Sequence, residues 1–288
     1  MSTRNAATRI ELPTGGRAYH SVPGISQSGL KLFADDPGKY YERYVLGIDQ
    51  RSTSPSLQWG SDFENLIMFD RLPGVLVPND VLSQSERDGK VVYSRRGAAW
   101  NEWKQRQIDE FGPDVRLLKQ DEWDSQIAPL LVARDNVRDH FKASKLLDGE
   151  NHVSLTWKDE TTGLDCKCQI DVASRWKMLT DLKTAQDATP DGFNRAVLNF
   201  RYHWQAYWYR EAWRRYTGED WPFAFVVVQN KPSYFCETYD LHPDWYNLAA
   251  VQIRSTLDRL AQCLESGIWK SETFGRVITL RPPKWAFK

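Results

Sequence analysis

The stretch that decides the fold is Gly163–Lys183, GLDCKCQIDVASRWKMLTDLK. The segment CKCQIDV alternates apolar and polar positions, and RWKMLTDL is apolar and partly β-branched, as is typical of strands. The Ala-Ser-Arg between them suits a tight hairpin. Two antiparallel strands joined in this way would bring the carboxylates of Asp171 and Asp181 together.

Two converging carboxylates offer hard oxygen ligands, which Mg²⁺ and Mn²⁺ prefer, and such a site keeps open positions for water and phosphate. Because residues i and i+2 of a strand share a face, Lys183 would lie beside Asp181. There its ammonium could orient or deprotonate an attacking water molecule. Asp-x-Lys alone is a weak pattern, since a surface strand with a salt-bridged Asp and Lys has the same letters.

Two further segments carry polar residues on predicted helices. The segment QWGSDFENLIMF (58–69) is typical of the start of a buried helix, with Glu64 facing inward among apolar side chains. The segment YHWQAYWY (202–209) places Gln205 and Tyr209 at positions i and i+4, on one face of a helix. Both segments could therefore supply polar groups to the same site as the two strands.

With these four segments, the chain resembles the PD-(D/E)xK nuclease superfamily. Within it, the chain is most similar to the RecE-type (exonuclease VIII-like) phage and prophage exonucleases, with the RecB nuclease domain and lambda exonuclease as more distant relatives. The segment YHSVPGISQSGLKLF (19–33) resembles the opening of RecE-like proteins, and CLESGIW (263–269) resembles their closing segment. The resemblance covers roughly residues 19–270.

This resemblance implies an α/β fold with a restriction-endonuclease-like core, in which helices flank a central mixed sheet, and a helical N-terminal elaboration. It also implies a metal-dependent exonuclease on double-stranded DNA ends. Digestion would run 5′-to-3′ and leave 3′ single-stranded tails for a RecT/Beta-like annealing protein in recombination. Two alternatives stay open: a structure-specific or single-strand endonuclease of the same superfamily, and a non-catalytic DNA-binding subunit that kept the fold.

The resemblance also assigns the site residues. Asp171 and Asp181 would bind Mg²⁺, for which Mn²⁺ would substitute, and the backbone carbonyl of Leu182 would add a ligand. Glu64 would complete one or two metal sites, directly or through water; many RecE and RecB relatives carry His at this point instead. Lys183 would position or activate the water, so the catalytic set is Asp171, Asp181, Lys183 and Glu64.

Further residues are expected to support the site or contact DNA. Gln205 and Tyr209 would brace the carboxylates or contact the DNA backbone. Ser26 and Ser28 lie where a helix begins, so they could bind a terminal phosphate or simply cap the helix. His203 could hydrogen-bond to DNA or to the catalytic carboxylates. The other four histidines show no spacing typical of a metal site or a triad.

Composition excludes several classes of protein. The four cysteines form no CxxC or Cys/His cluster, so neither a zinc site nor an iron–sulfur cluster is indicated. There is no uncharged apolar tract long enough to cross a membrane and no apolar signal segment near the N-terminus, so the sequence predicts a cytoplasmic protein of a bacterial host, with no membrane partner.

Charge bears on how the protein would stay on DNA. Lysine plus arginine equals aspartate plus glutamate at 38 each, so the 288-residue chain lacks the basic excess of a general nucleic-acid binder. It also lacks a phosphate-binding loop of the GxxxxGK(S/T) type. We therefore expect a closed homo-oligomeric ring around DNA. The resemblance to RecE-type exonucleases implies a tetramer, and the resemblance to lambda exonuclease implies a trimer.

The pattern of elements predicts three parts: a flexible segment over 1–18, a nuclease domain over 19–270 and a tail over 271–288. Within the domain we expect helices over 97–111, 119–141, 191–216 and 242–267. A meander of three strands should cover 151–159, 164–173 and 175–183, and a buried strand should follow at 222–229. For residues 71–95 the sequence predicts a loop with one short strand.

Overall fold

The computed structural model describes residues 6–12, 16–48, 54–271 and 273–282. The strands are β1 Thr8–Arg9, β2 Val75–Leu76, β3 Ser83–Arg87, β4 Lys90–Ser94, β5 Leu117–Leu118, β6 Gly149–Lys158, β7 Asp165–Ser174, β8 Met178–Ala185, β9 Phe223–Gln229 and β10 Cys236–Tyr239. The helices are α1 Gly16–Ser21, α2 Gln27–Asp35, α3 Pro37–Tyr40, α4 Pro55–Phe69, α5 Ala98–Phe111, α6 Gln120–Gln126, α7 Ala128–Asp139, α8 Phe141–Leu146, α9 Pro190–Asn199, α10 Tyr202–Thr217 and α11 Pro243–Ser266. A π-helical turn, Tyr41–Val45, continues α3, and a 3₁₀ turn lies at Asn79–Val81.

The central sheet has six strands in the order β1-β6-β7-β8-β9-β10. The pair β8 and β9 is parallel, and the other neighbours are antiparallel. The predicted α/β fold with a central mixed sheet flanked by helices is therefore confirmed. The predicted meander is present as β6, β7 and β8, within two or three residues of the expected bounds.

Helices cover both faces of this sheet. The helices α2, α9, α10 and α11 pack over an aromatic-rich core on one face, and α4, α7 and α8 pack over a mostly aliphatic core on the other. Strand β9 shows the consequence, because Phe225 and Val227 point into the first core and Val226 and Val228 into the second. A strand buried on both faces needs a continuous apolar run, and each such side chain contributes about 1.5–3 kcal/mol.

Two helical predictions are corrected by local breaks. The segment 119–141 forms α6, α7 and the start of α8 instead of one helix. Pro129 is accommodated only in the first turn of a helix, so a new helix, α7, begins beside it. The extended backbone of His140 then separates α7 from α8. The segment 191–216 divides into α9 and α10 at Arg201, whose φ of 50° is left-handed. This break fixes where α10 begins, and so where the side chain of Tyr202 lies.

The region 71–95 is more ordered than predicted. It contains β2, which pairs in parallel with β5, and the hairpin of β3 and β4. The hairpin turn is Asp88-Gly89, with φ values of 50° and 71°. Two consecutive positive φ values are the requirement of a type I′ turn, for which Asp-Gly is a preferred sequence.

Part of the N-terminal segment 1–18, which the sequence predicts to be flexible, forms an edge strand. Thr8 and Arg9 pair with β6, and Ala7 is buried in the aromatic-rich core. Residues 1–5 and 13–15 of that prediction lie outside the described residues, as do 272 and 283–288 of the predicted tail. Within the described ranges, none of the helices combines the length and apolar character that a bilayer span requires.

Candidate active site

Strands β7 and β8 bring two carboxylates together. Their antiparallel register pairs Val172 with Thr180, and one further step places Asp171 opposite Asp181. The ladder opens at that step, and the backbone N–H of Leu182 donates to Oδ2 of Asp171 at 3.1 Å instead. The hairpin therefore juxtaposes the two carboxylates as the sequence indicated.

The Asp181 carboxylate is fixed by two neighbouring side chains. It is fully buried; its Oδ2 forms an ion pair with Nζ of Lys183, and its Oδ1 accepts a hydrogen bond from Nε2 of Gln205. The same Gln205 nitrogen donates to the Tyr209 hydroxyl at 3.1 Å. The structure thus brings Asp181, Lys183, Gln205 and Tyr209 into one bonded cluster, with Asp171 beside it.

Burial and mutual repulsion dominate the electrostatics. Burial and the charge of Asp181 raise the pKa of Asp171 well above its ordinary value, and burial also raises the pKa of Asp181. Burial alone would lower the pKa of Lys183. The charges of Asp181 and Asp171 outweigh this effect of burial, so the pKa of Lys183 lies above its usual range. Lys183 is therefore an ammonium that partly neutralises two crowded carboxylates.

Glu64 approaches the strands from helix α4. Its Oε1 lies 3.1 Å from Nε2 of His152 on β6, and its charge contributes to the raised pKa of Asp171. The Glu64 side chain is 41% exposed, in contrast to the fully buried Asp181. Glu64 thus faces the carboxylate pair from an open position.

His152 is a site residue that sequence reasoning missed. Its φ of 56° is left-handed, and the ladder of β6 and β7 is paired on both sides of His152 but not at His152 itself, whose register would place it opposite Asp171. A non-glycine residue with this φ is uncommon and is often found at functional sites. Its partner Glu64 lies 88 positions away, so no local spacing could reveal the contact.

Gly60 sets how closely α4 approaches the strands. A Cβ at this position would lie 3.1 Å from Oγ1 of Thr184 on β8, which is tighter than ordinary contact. Because glycine has no Cβ, this close contact does not arise. Glu64 follows one turn later on the same helix. The close approach of helix and strand therefore places Glu64 near Lys183.

A cleft of about 790 Å³ opens between α4, the end of β8, α9 and the start of α10. Glu64, Lys183 and Tyr202 line it, together with Gly60, Thr184, Asn199, Phe200 and Asn230 among others. The ammonium of Lys183 lies 5.1 Å from the centre of the Tyr202 ring. The cleft gives a substrate access to Lys183, behind which Asp181 is buried.

Asp171 and Asp181 offer oxygen ligands of the kind that a hard divalent cation prefers. Oδ2 of Asp181 is buried and receives no well-directed hydrogen bond, although Lys183 lies against it, and carboxylate oxygens are the ligands that Mg²⁺ prefers. Among the residues that the structure describes, no three His, Cys, Asp or Glu side chains form a group that could by itself hold a metal ion. Asp171 and Asp181 are the carboxylates that the strands bring together.

The predicted phosphate-binding serines occupy the start of α2. Ser26 is the N-cap, since its Oγ accepts a hydrogen bond from the backbone N–H of Gly29 at 3.1 Å. Its Oγ also lies 2.9 Å from Oγ of Ser28. Of the two alternatives for Ser26, helix capping is therefore present in the structure.

His203 does not join the cluster. It is 1% exposed, and its Nε2 and Nδ1 lie 3.0 Å from Oε1 of Gln252 and 3.3 Å from the carbonyl of Val197. Both ring nitrogens are thus engaged inside the aromatic-rich core, away from Asp171 and Asp181. The expected contact of His203 with Asp171 or Asp181 is absent from this arrangement, because its side chain faces α11.

The geometry of Asp171, Asp181 and Lys183 agrees with a comparison of the sequence against known families. Residues 100–273 match a family described as a PDDEXK-like domain of unknown function (DUF3799). The chain belongs to this family. The match includes both strands of the carboxylate hairpin and the helix that carries Gln205, while Glu64 lies before it.

Among solved structures, this PDDEXK-like chain is similar to one described as a putative exonuclease from Eubacterium rectale, with a TM-score of 0.60 and 16% sequence identity over 96% of this chain and 98% of that chain. At this identity the likeness shows the fold. No curated protein matches the sequence. Fold and family together place the chain in the PD-(D/E)xK nuclease superfamily, whose hydrolytic nucleases generally use divalent metal ions.

Proposed function

We propose that this PDDEXK-like protein is a metal-dependent exonuclease that hydrolyses phosphodiesters at the ends of double-stranded DNA. The observation that carries the proposal is the cluster around Asp181: a fully buried carboxylate held by Lys183 and Gln205, with Asp171 beside it and a cleft at Lys183. Burying crowded carboxylates destabilises the fold, so their presence favours a catalytic purpose.

Asp171 and Asp181, with the carbonyl of Leu182, would hold Mg²⁺, and Glu64 would complete the ligand set from α4 directly or through water. When bound, the cation supplies charge neutralisation at the phosphate and lowers the pKa of a coordinated water. Mn²⁺, which accepts the same oxygen ligands, should substitute for it.

The chain's own residues have distinct tasks in this proposal. Lys183, held as an ammonium, donates hydrogen bonds that orient the attacking water or offset the charge of the scissile phosphate; its raised pKa favours these roles over proton removal. Gln205 keeps the Asp181 carboxylate oriented, and Tyr209 in turn fixes Gln205. Water adds to phosphorus and releases a proton to solvent. The bond from phosphorus to the oxygen of the neighbouring nucleotide breaks, and that oxygen leaves and takes up a proton from solvent.

The finer parts of the proposal come from the RecE-type resemblance. They are 5′-to-3′ digestion, 3′ single-stranded tails for a RecT/Beta-like annealing protein in recombination, and a homo-oligomeric ring of three or four subunits. A physical argument supports the ring. A chain with 38 basic and 38 acidic residues has no net positive charge that would retain DNA through many successive cleavage events. A closed ring retains DNA by its shape.

Digestion of four substrates in Mg²⁺ tests the proposal: linear duplex labelled at the 5′ end, linear duplex labelled at the 3′ end, nicked circle and closed circle. We expect loss of the 5′ label from linear duplex and an intact closed circle, with light scattering giving a multiple of the 33.5 kDa chain mass. Cleavage of closed circles would instead favour the structure-specific or single-strand endonuclease. Absence of cleavage on every substrate would contradict the nuclease proposal.

A further inference from the structure

A second lysine contacts an aromatic residue that lines the cleft. Lys31 is on α2, and its Nζ lies 5.6 Å from the centre of the Tyr202 ring, the same ring that Lys183 approaches to 5.1 Å. Tyr202 lines the cleft together with Lys183. Two lysine side chains from different elements, α2 and β8, therefore converge on one aromatic ring, that of Tyr202.

Lys31 has no anionic partner among the described residues. The two carboxylates whose charges reach it are both engaged, Asp181 with Lys183 and Asp35 with Arg201 at 2.6 Å. Burial, Lys183 and Arg201 lower the pKa of Lys31 to about 7. Contact with an aromatic ring offsets only about 0.5–2 kcal/mol, less than the several kcal/mol that burying an ammonium costs.

We propose that Lys31 binds a backbone phosphate of the DNA, next to the phosphate that is hydrolysed. This inference rests on the proposed function. The phosphate is the anionic partner that Lys31 lacks among the described residues. With it bound, Lys31 and Lys183 would each contact one of two adjacent phosphates of the DNA backbone. Lys31 therefore binds the substrate, whereas Lys183 orients the water and partly neutralises the carboxylates.

Steady-state cleavage of linear duplex at several salt concentrations tests the role of Lys31. Lys31→Met keeps much of the apolar stem and removes the charge. We expect it to raise KM about tenfold, the contribution of one charge-assisted hydrogen bond. The dependence of log(kcat/KM) on log salt should become shallower by about one, as for loss of one phosphate contact. Lys31→Arg should restore most of the affinity.

Lys39→Met is the matched control, since Lys39 follows in α3, is 70% exposed and lies 3.7 Å from the Asp36 carboxylate. It should leave KM and the salt slope unchanged. Thermal melting of each variant checks the fold, and the comparison of Lys31→Met with Lys31→Arg excludes an effect of packing alone. If wild type cleaves and Lys31→Met keeps the wild-type KM and salt slope, the role of Lys31 is overturned and the nuclease proposal stands. If wild type degrades no DNA, both are overturned.

Discussion

Two groups of residues at the cleft hold their polar side chains very differently. The first, called the strand wall, consists of Lys183, which lines the cleft, and of Asp171 and Asp181, which do not. Asp181 is fully buried, and its two oxygens are held by Lys183 and Gln205. The second, called the helix wall, is Glu64 of α4, which lines the cleft with a side chain that is 41% exposed and lies 3.1 Å from its partner His152 on β6. The strand wall is preorganised, whereas the helix wall can adjust when a substrate enters.

The largest effect should come from the strand wall. Asp181→Ala and Asp171→Ala should each lower the rate of nucleotide release from linear duplex about 1000-fold or more, because each removes a carboxylate that no neighbour can replace. Asp165→Ala is the matched control on β7; its side chain is 69% exposed and paired with Lys158. Substantial residual activity in either cluster variant, or an equal loss in Asp165→Ala, would contradict the site assignment.

Lys183→Ala should come next, with kcat about 100-fold lower and Mn²⁺ binding retained in calorimetry. The variant removes an ammonium that orients water or offsets charge, and leaves both carboxylates in place. Lys177→Asn, in the same hairpin, should behave as wild type, because Lys177 is 70% exposed and asparagine tolerates its left-handed φ of 55°. Loss of Mn²⁺ binding in Lys183→Ala would mean that the lysine organises the carboxylates instead.

The helix wall should matter less. Glu64→Gln should lower activity about 10- to 100-fold, and His152→Asn about tenfold, the range for residues that orient a metal-site group. Asparagine is chosen because it tolerates the left-handed φ of His152, so the contact is removed without added strain. In the double variant the two effects should not add, since both act through one contact. Full additivity would show that His152 works independently of Glu64.

Gly60→Ala should have the smallest effect. The new methyl group would press on Oγ1 of Thr184, and we expect α4 to move by a few tenths of an ångström and activity to fall about threefold. Alanine is also the better helix former, so the melting temperature should change little. Adding Thr184→Ala should relieve the contact and restore the rate. No rescue in the double variant would show that the spacing of α4 and β8 is unimportant.

The strand wall was accessible to sequence reasoning because its information is local. Asp171, Asp181 and Lys183 lie within 13 residues on one hairpin, and strand periodicity alone places them together. The i and i+4 spacing likewise placed Gln205 and Tyr209 on one helix face, where both reach the same cluster. The buried strand β9 was readable from its continuous apolar run.

The positions of the other site residues depend on contacts between segments that are distant in the sequence. His152 meets Glu64 across 88 positions, and Lys31 meets Tyr202 through the packing of α2 on α10, so neither leaves a signature in the sequence. His203 was misplaced because its neighbours in sequence are site residues, while its own direction on α10 is set by Gln252 of α11. Tertiary packing decides such positions.

The central claim is that the strand wall hydrolyses phosphodiesters with a divalent cation. The most direct test follows nucleotide release from linear duplex as Mg²⁺ is returned to protein treated with EDTA, for wild type and for Asp181→Asn. We expect wild type to be inactive without Mg²⁺ and to recover saturably, and Asp181→Asn to stay inactive at every concentration although its fold melts cooperatively. Wild-type release without any divalent ion, or recovery of Asp181→Asn to the wild-type rate, would contradict the claim.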